Sequence, residues 1–170
     1  PPPATRTARR GTSAPTRREL GDALGRAVDR LLLPQQWMVF LDIERTGREF
    51  VLVAANARSG RTWPVGACLA PNVGRVGLAL RRRRVLDRSD FESEPPLVRQ
   101  QVDETEPKLF RVDIAAPLVV GESALGAVAL GGSDLPLDAS RQVLAVLGEA
   151  ALAALRLQDS RDRAARLANE

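Results

Sequence analysis

Residues 112–131, VDIAAPLVVGESALGAVALG, read as two strands joined by a tight turn. The runs 112–120 and 124–131 are apolar on both alternating faces, and Gly121-Glu122-Ser123 supplies the turn between them. A strand that is apolar on both sides needs cover on both sides, so this hairpin is expected at the centre of a sheet packed between other elements. Pro117 has no N–H to give to a ladder and should stand at a bulge or beside an unpaired site. Gly126 signals close packing against something above it.

Working outward, residues 37–44 (WMVFLDIE) form a further covered strand, with Trp37, Val39, Leu41 and Ile43 on one face and Met38, Phe40 and Asp42 on the other. Residues 45–48 turn the chain and 50–55 (FVLVAA) return antiparallel. Upstream, Thr16-x-x-Glu19 is a capping box opening a helix that Pro34 ends, with Leu20, Leu24, Ala27, Val28 and Leu31 at helical spacing. Residues 56–64 read as loop, 72–80 as a short helix burying Val73, Val76, Leu78 and Leu80, and 84–86 as a short strand. Residues 87–108, acidic and holding Pro95, Pro96 and Pro107, read as a lid or partly disordered loop. Asp138 then caps a long last helix whose polar stripe is Gln142, Glu149 and Arg156; a helix apolar over so wide an arc needs two neighbours. Residues 158–170 are polar, with Asp159/Arg163 and Asp162/Arg166 at i,i+4, and read as a self-supporting extension leaving the domain.

The chain has 170 residues, 44% apolar and 27% charged, the size and balance of one domain with tails. No apolar run reaches the roughly 18 residues of a membrane span. The sequence begins at Pro1 and reads as a fragment of a longer protein, with an effector expected beyond Glu170. His is absent, which removes Ser-His-Asp and Cys-His catalysis, HExxH zinc sites and a proximal haem ligand. The single cysteine, Cys68, excludes an internal disulfide and any CxxC pair. An enzyme is therefore not expected, and neither a cofactor nor a metal. Residues 1–18 carry five of the 25 basic residues and no acid, leaving 20 bases against 21 acids in the rest. The basic excess is thus a Pro-rich tail, residues 1–15, expected to be disordered. Such a tail is a solvated linker or a weak phosphate contact; nucleic acid is not otherwise expected as a partner.

The order of elements, with VFLDIERTGREFVLVAA, PNVGRVGLALRRRRVLDRSDF, IAAPLVVGESALGAVALGG and VLAVLGEAALAALRL in sequence, resembles a GAF domain over residues 16–157. Gly74, Gly77, Val85, Asp87, Pro117, Leu118, Gly121 and Gly126 fall where that family's pattern wants them. The resemblance implies an α+β fold: an antiparallel sheet of five or six strands, with the terminal helices on one face and the short helix and lid on the other. The sequence lacks the NKxnFx3DE motif of cyclic-nucleotide-binding members, and Cys68 is followed by Leu69 rather than the His usual after a bilin-bearing Cys. It lacks a haem-ligating His, and it lacks the several cysteines of the free methionine sulfoxide reductases. What the resemblance then implies is a cytoplasmic, non-catalytic small-ligand sensor and dimerisation domain of a larger bacterial-type signalling protein. The alternative is a dimerisation module with no ligand.

Under the resemblance, Trp63, Leu69, Val76, Leu86, Asp87, Phe91 and Phe110 would line a pocket for a small, largely apolar ligand. Asp87 would either contact a polar ligand or cap a turn, and Phe91 and Phe110 would line the pocket or anchor the lid. Leu147, Ala150, Ala151 and Ala154 would meet a second copy across a two-fold axis, unless the last helix is buried within its own domain. Arg81–Arg84 is a phosphate contact or a solvated turn, and Cys68 a redox thiol or a small buried residue. Asp103, Glu104 and Glu106 are a cation site or a solvated face.

Overall fold

The computed structural model describes residues 16–58, 61–108, 111–132, 134 and 137–169; the expectations for residues 1–15 and for Phe110 lie outside them. The capping box forms: Thr16 Oγ1 accepts the Glu19 N–H and the Glu19 carboxylate accepts the Thr16 N–H. Helix α1 (Arg17–Leu32) follows and ends at Leu33 in the left-handed conformation, ahead of Pro34. Its buried face is Leu24, Val28 and Leu32, spaced by four. Leu31, expected inside, is 57% exposed, because that spacing rotates it off the stripe. Gly25 belongs to the same face, and a Cβ there would collide with the Trp37 ring.

Strands β1 (Gln36–Leu41) and β2 (Phe50–Ala57) pair antiparallel. Strand β1 stops at Leu41, three residues before the expected end. Asp42 is buried and accepts the Thr46 and Gly47 N–H groups, closing the turn, so Ile43 leaves the face of Leu41 and is 40% exposed. A two-residue strand β3 (Cys68–Leu69), unread in the sequence, pairs with the start of β2. Helix α2 (Gly74–Arg82) precedes β4 (Leu86–Asp87), which starts two residues later than expected.

The region expected as a loop is helical: α3 (Arg88–Ser93) and α4 (Pro96–Thr105). Pro95 and Pro96 open α4 rather than interrupt it, since first-turn N–H groups have no helical partner to lose. Strands β5 (Ile114–Val120) and β6 (Ser123–Gly131) form the expected hairpin, and α5 (Leu137–Ala168) closes the chain as one continuous helix. Asp138 lies inside the first turn of α5 rather than ahead of it. No helix among the described residues is long and apolar enough to cross a membrane.

The strands make one six-stranded antiparallel sheet in the order β3-β2-β1-β6-β5-β4. Pleating sends alternate residues to two separate cores. On one face Trp37, Val39, Leu41, Val128 and Leu130 pack with Leu24 and Val28 of α1 and with Leu144, Leu152 and Leu155 of α5. On the other, Met38, Phe40, Ala127 and Ala129 pack with Val76 and Leu80 of α2, Phe91 of α3 and Val102 of α4. Pro117 pairs opposite Ala127, next to the register shift between Leu118 and Val119 and beyond Ala115, the last β5 residue that β4 covers. Gly126 meets the Phe40 carbonyl of neighbouring β1, so its close contact is within the sheet rather than above it.

The polar end of α5 is held by the domain instead of supporting itself. Asp159 accepts from Arg17 of α1 at 3.1 Å and from Arg45 of the β1–β2 turn, and Asp162 lies 4.0 Å from the Arg45 guanidinium. The expected i,i+4 pairs do not form because these long-range arginines reach the carboxylates instead.

Candidate functional site

The pocket expected from the sequence falls between the sheet and α2. Helix α2 begins at Gly74 with φ +60°, a conformation that favours glycine, and a Cβ there would also strike the Glu106 carboxylate. The first-turn N–H groups of α2 are taken up from the end of α4. Gly74 N–H donates to Thr105 Oγ1 at 2.8 Å, and Arg75 N–H donates to Glu106 Oε2. A carboxylate at a helix N-terminus is favourably placed for the helix dipole. Burial nonetheless outweighs that N–H and the Arg75 charge, pushing the Glu106 pKa up to about 6. The Arg75 guanidinium reaches across to the Val112 carbonyl at 2.6 Å and lies 5.1 Å from the Phe91 ring centre, with its buried Nε unpartnered.

Of the residues expected to line a pocket, Trp63, Leu69 and Val76 do meet here, with Met38, Phe40 and Val112. The space left between them is about 10 Å³, room for a single water at most. Trp63 packs edge-on against Phe40 at 6.3 Å and 89°, filling what a ligand would need. Leu86 is wholly buried in the core and is not among the residues that line this space. Phe91 is buried under Arg75 and lines a separate groove of about 140 Å³. Arg75 and Thr105 were missed as site residues, and Glu106 was read only as part of a cation site or a solvated face. Gly74-Arg75 opening a helix was the one available signal, and nothing local announces that residues 31 positions later will cap it.

Asp87 is not in that space. It caps α3, accepting from the Ser89 and Asp90 N–H groups, and is pinned by Arg141 of α5 at 2.7 Å. Arg141 also pairs with Asp90 and donates to the Val85 carbonyl. Burial works to raise the Asp87 pKa, but the bonds from Ser89, Arg141 and Asp90 overcome it and hold the carboxyl below its ordinary value. This cluster ties the last helix to the start of α3.

The remaining candidates disperse. Cys68 is exposed rather than buried, on the short edge strand β3, and the neighbouring Glu49 carboxylate pushes its thiol up, away from the reactive thiolate. Asp103, Glu104 and Glu106 part company: Glu104 accepts from Gln100, Glu106 caps α2 and Asp103 is exposed. On α5, Ala151 is buried in its own chain's core and so is not a contact for a second copy. Leu147 and Ala154 are half-buried, and Ala150 is exposed.

No protein-family model matches this sequence, and no curated protein matches it. Solved structures do. A GAF domain from a phosphoenolpyruvate-protein phosphotransferase of Coxiella burnetii is similar at a TM-score of 0.62 and 16% identity, over 85% of this chain and 84% of that one. A GAF domain/HD domain protein from Geobacter sulfurreducens is similar at 0.58 and 22% identity, over 87% and 97%. A free methionine-R-sulfoxide reductase from Neisseria meningitidis is similar at 0.54 and 14% identity, over 82% and 79%. With the six-stranded antiparallel sheet, its two helical faces and the element order, these likenesses establish that the chain has a GAF-like α+β fold.

Proposed function

We propose that this is a non-catalytic regulatory domain of a cytoplasmic signalling protein, working as a homodimer whose paired α5 helices pass its state to an effector beyond Glu170. The observation that carries the reading is an exposed seam along α5. Val146, Ala150, Ala153, Leu157, Ser160, Ala164 and Leu167 alternate in steps of four and three, and all are exposed. Val146, Leu157 and Leu167 are 70%, 53% and 67% exposed. That spacing is the heptad seam of a two-stranded coil, and small residues between the large ones let two backbones approach. The seam crosses from the packed part of α5 into its polar end, which supports one continuous dimer helix over residues 137–168.

Between the two roles open to such a domain, the filled space beneath α2 favours a relay with no resident ligand there. A small-ligand sensor using that space would need it to open to several hundred Å³. One observation keeps the sensor role in play: the unpartnered Arg75 Nε and the buried Glu106 would both be better satisfied by an entering polar group. The test is molecular mass by light scattering at tens of micromolar, where a dimer with a Kd near about 1 μM is populated. The unmutated protein is expected as a dimer, and Val146→Glu with Leu157→Glu as a folded monomer. A monomeric unmutated protein refutes the reading.

A further inference from the structure

A second opening lies at the far end of the sheet, away from the filled space beneath α2. It is a cleft of about 460 Å³ between the β1–β2 turn, the β5–β6 turn and the end of α2, bordered by Asp159 of α5. Its volume is that of a small-molecule site. Four arginines from three segments line it: Arg17 from α1, Arg45 from the β1–β2 turn, and Arg81 and Arg83 from the end of α2. Two of them, Arg45 and Arg83, sit at φ +60° and +54°, where glycine is the usual occupant. Arginine is strained at both positions, and Arg45 spends its guanidinium on Asp159. The Arg83 guanidinium has no hydrogen bond or ion pair among the described residues, and Arg81 spends one N–H on the Pro71 carbonyl.

Three carboxylates also line the cleft. Asp42 is buried and saturated by the turn N–H groups, and Glu122 is exposed on the opposite turn. Asp159 is the counter-ion that Arg17 and Arg45 now share. Leu80, Leu125 and Ala124 supply an apolar wall. Converging guanidinium groups beside an apolar wall suit a phosphate group carried on a compact apolar body, since the planar donors of arginine match phosphate oxygens in pairs.

We propose that this cleft binds a small soluble phosphate ester, and that the bound phosphate draws Arg17 and Arg45 away from Asp159, freeing the end of α5. The binding half stands apart from the dimer reading; the release half rests on α5 being the output.

Phenyl phosphate is the probe, titrated by calorimetry into the unmutated chain in a phosphate-free buffer of low ionic strength. Saturable binding at or below about 1 mM is expected. Arg83→Gly is expected to weaken it about tenfold, and because glycine suits that left-handed position, the loss is not one of folding. Asp159→Asn, which removes the internal competitor, is expected to tighten it about two- to fivefold. Glu149→Gln, an equal change of charge outside the cleft, is expected to leave it unchanged. Absence of saturable binding overturns the site, as do equal affinities in all four proteins. Binding to phosphatidic acid vesicles but not to phenyl phosphate overturns the soluble-ester assignment. Amide exchange over residues 160–168 is expected to quicken with phenyl phosphate bound; binding with unchanged exchange overturns the release half, whatever the oligomeric state.

Discussion

Glu106→Gln tests the buried carboxylate at the start of α2. In the folded chain its pKa stands at about 6 instead of the ordinary 4.5, chiefly through burial. Between those values the folded state still holds a proton that the unfolded chain has released. Raising the pH through this window therefore removes stability, and below 4.5 the difference vanishes. At 1.36 kcal/mol per pH unit the loss is about 2 kcal/mol, or about 4–8 °C in the unfolding midpoint of a domain this size. Glutamine does not titrate, yet its amide oxygen can still accept the Arg75 N–H. Every other titrating group is common to both proteins and cancels in the difference. Urea unfolding of both, followed by Trp fluorescence at pH 4 and pH 7, gives the double difference. The Gln variant is expected to gain about 2 kcal/mol on the unmutated protein between those pH values. A gap that does not change with pH refutes the dominance of burial at Glu106. A gap of opposite sign would mean that the Arg75 N–H and charge win instead.

Three further outcomes follow from the packing. Val128→Asp puts a charge at a 2% exposed position of central β6 and is expected to abolish cooperative folding, seen as loss of a thermal transition. Arg141→Ala leaves Asp87 buried without its cation; because Arg141 is itself 30% exposed, a cost of about 2 kcal/mol is expected in urea unfolding, rather than the larger value of a fully buried pair. Removing that cation also lets the Asp87 pKa climb, so the acid limb of the stability profile, where stability is lost as pH falls through the folded value, should move to higher pH. Gly25→Ala forces the Trp37 ring aside and is expected to cost about 1–3 kcal/mol with a shift in Trp emission.

The hairpin was legible because burial on both faces writes apolar runs at 114–120 and 124–131 with a turn between them, although β5 starts two residues later than expected, where Asp113 accepts from Arg88 and the Gly132 N–H. The two-sided alternation of Trp37 to Leu41 was legible for the same reason. Helix α4 was not: it buries only Val102 fully and leaves Leu97 80% exposed, so its apolar period is too thin to see, and its prolines read as breakers although they open it. The candidate site divided along similar lines. Trp63, Leu69 and Val76, expected under the resemblance, do lie together; Arg75 with Glu106, and Asp87 with Arg141, are polar pairs across 31 and 54 residues that no local spacing encodes. Ala151 was misread because the arc of α5 that its own sheet covers depends on the crossing of two elements, which periodicity along one helix does not contain.

Arg141 and Asp159 stand 18 residues apart on α5, which is five whole turns, so both point the same way from the axis about 27 Å apart. The helix is pinned twice along one line, once by Asp87 and Asp90 and once by Arg17 and Arg45. Two pins in line resist twisting as well as sliding. The first grips a buried carboxylate and the second a partly exposed one, so the outer pin yields first. Between the pins Leu144, Leu152 and Leu155 hold the helix to the sheet, so loosening the outer pin frees only the stretch after Leu155, and the last packed turn is the fulcrum about which that stretch swings.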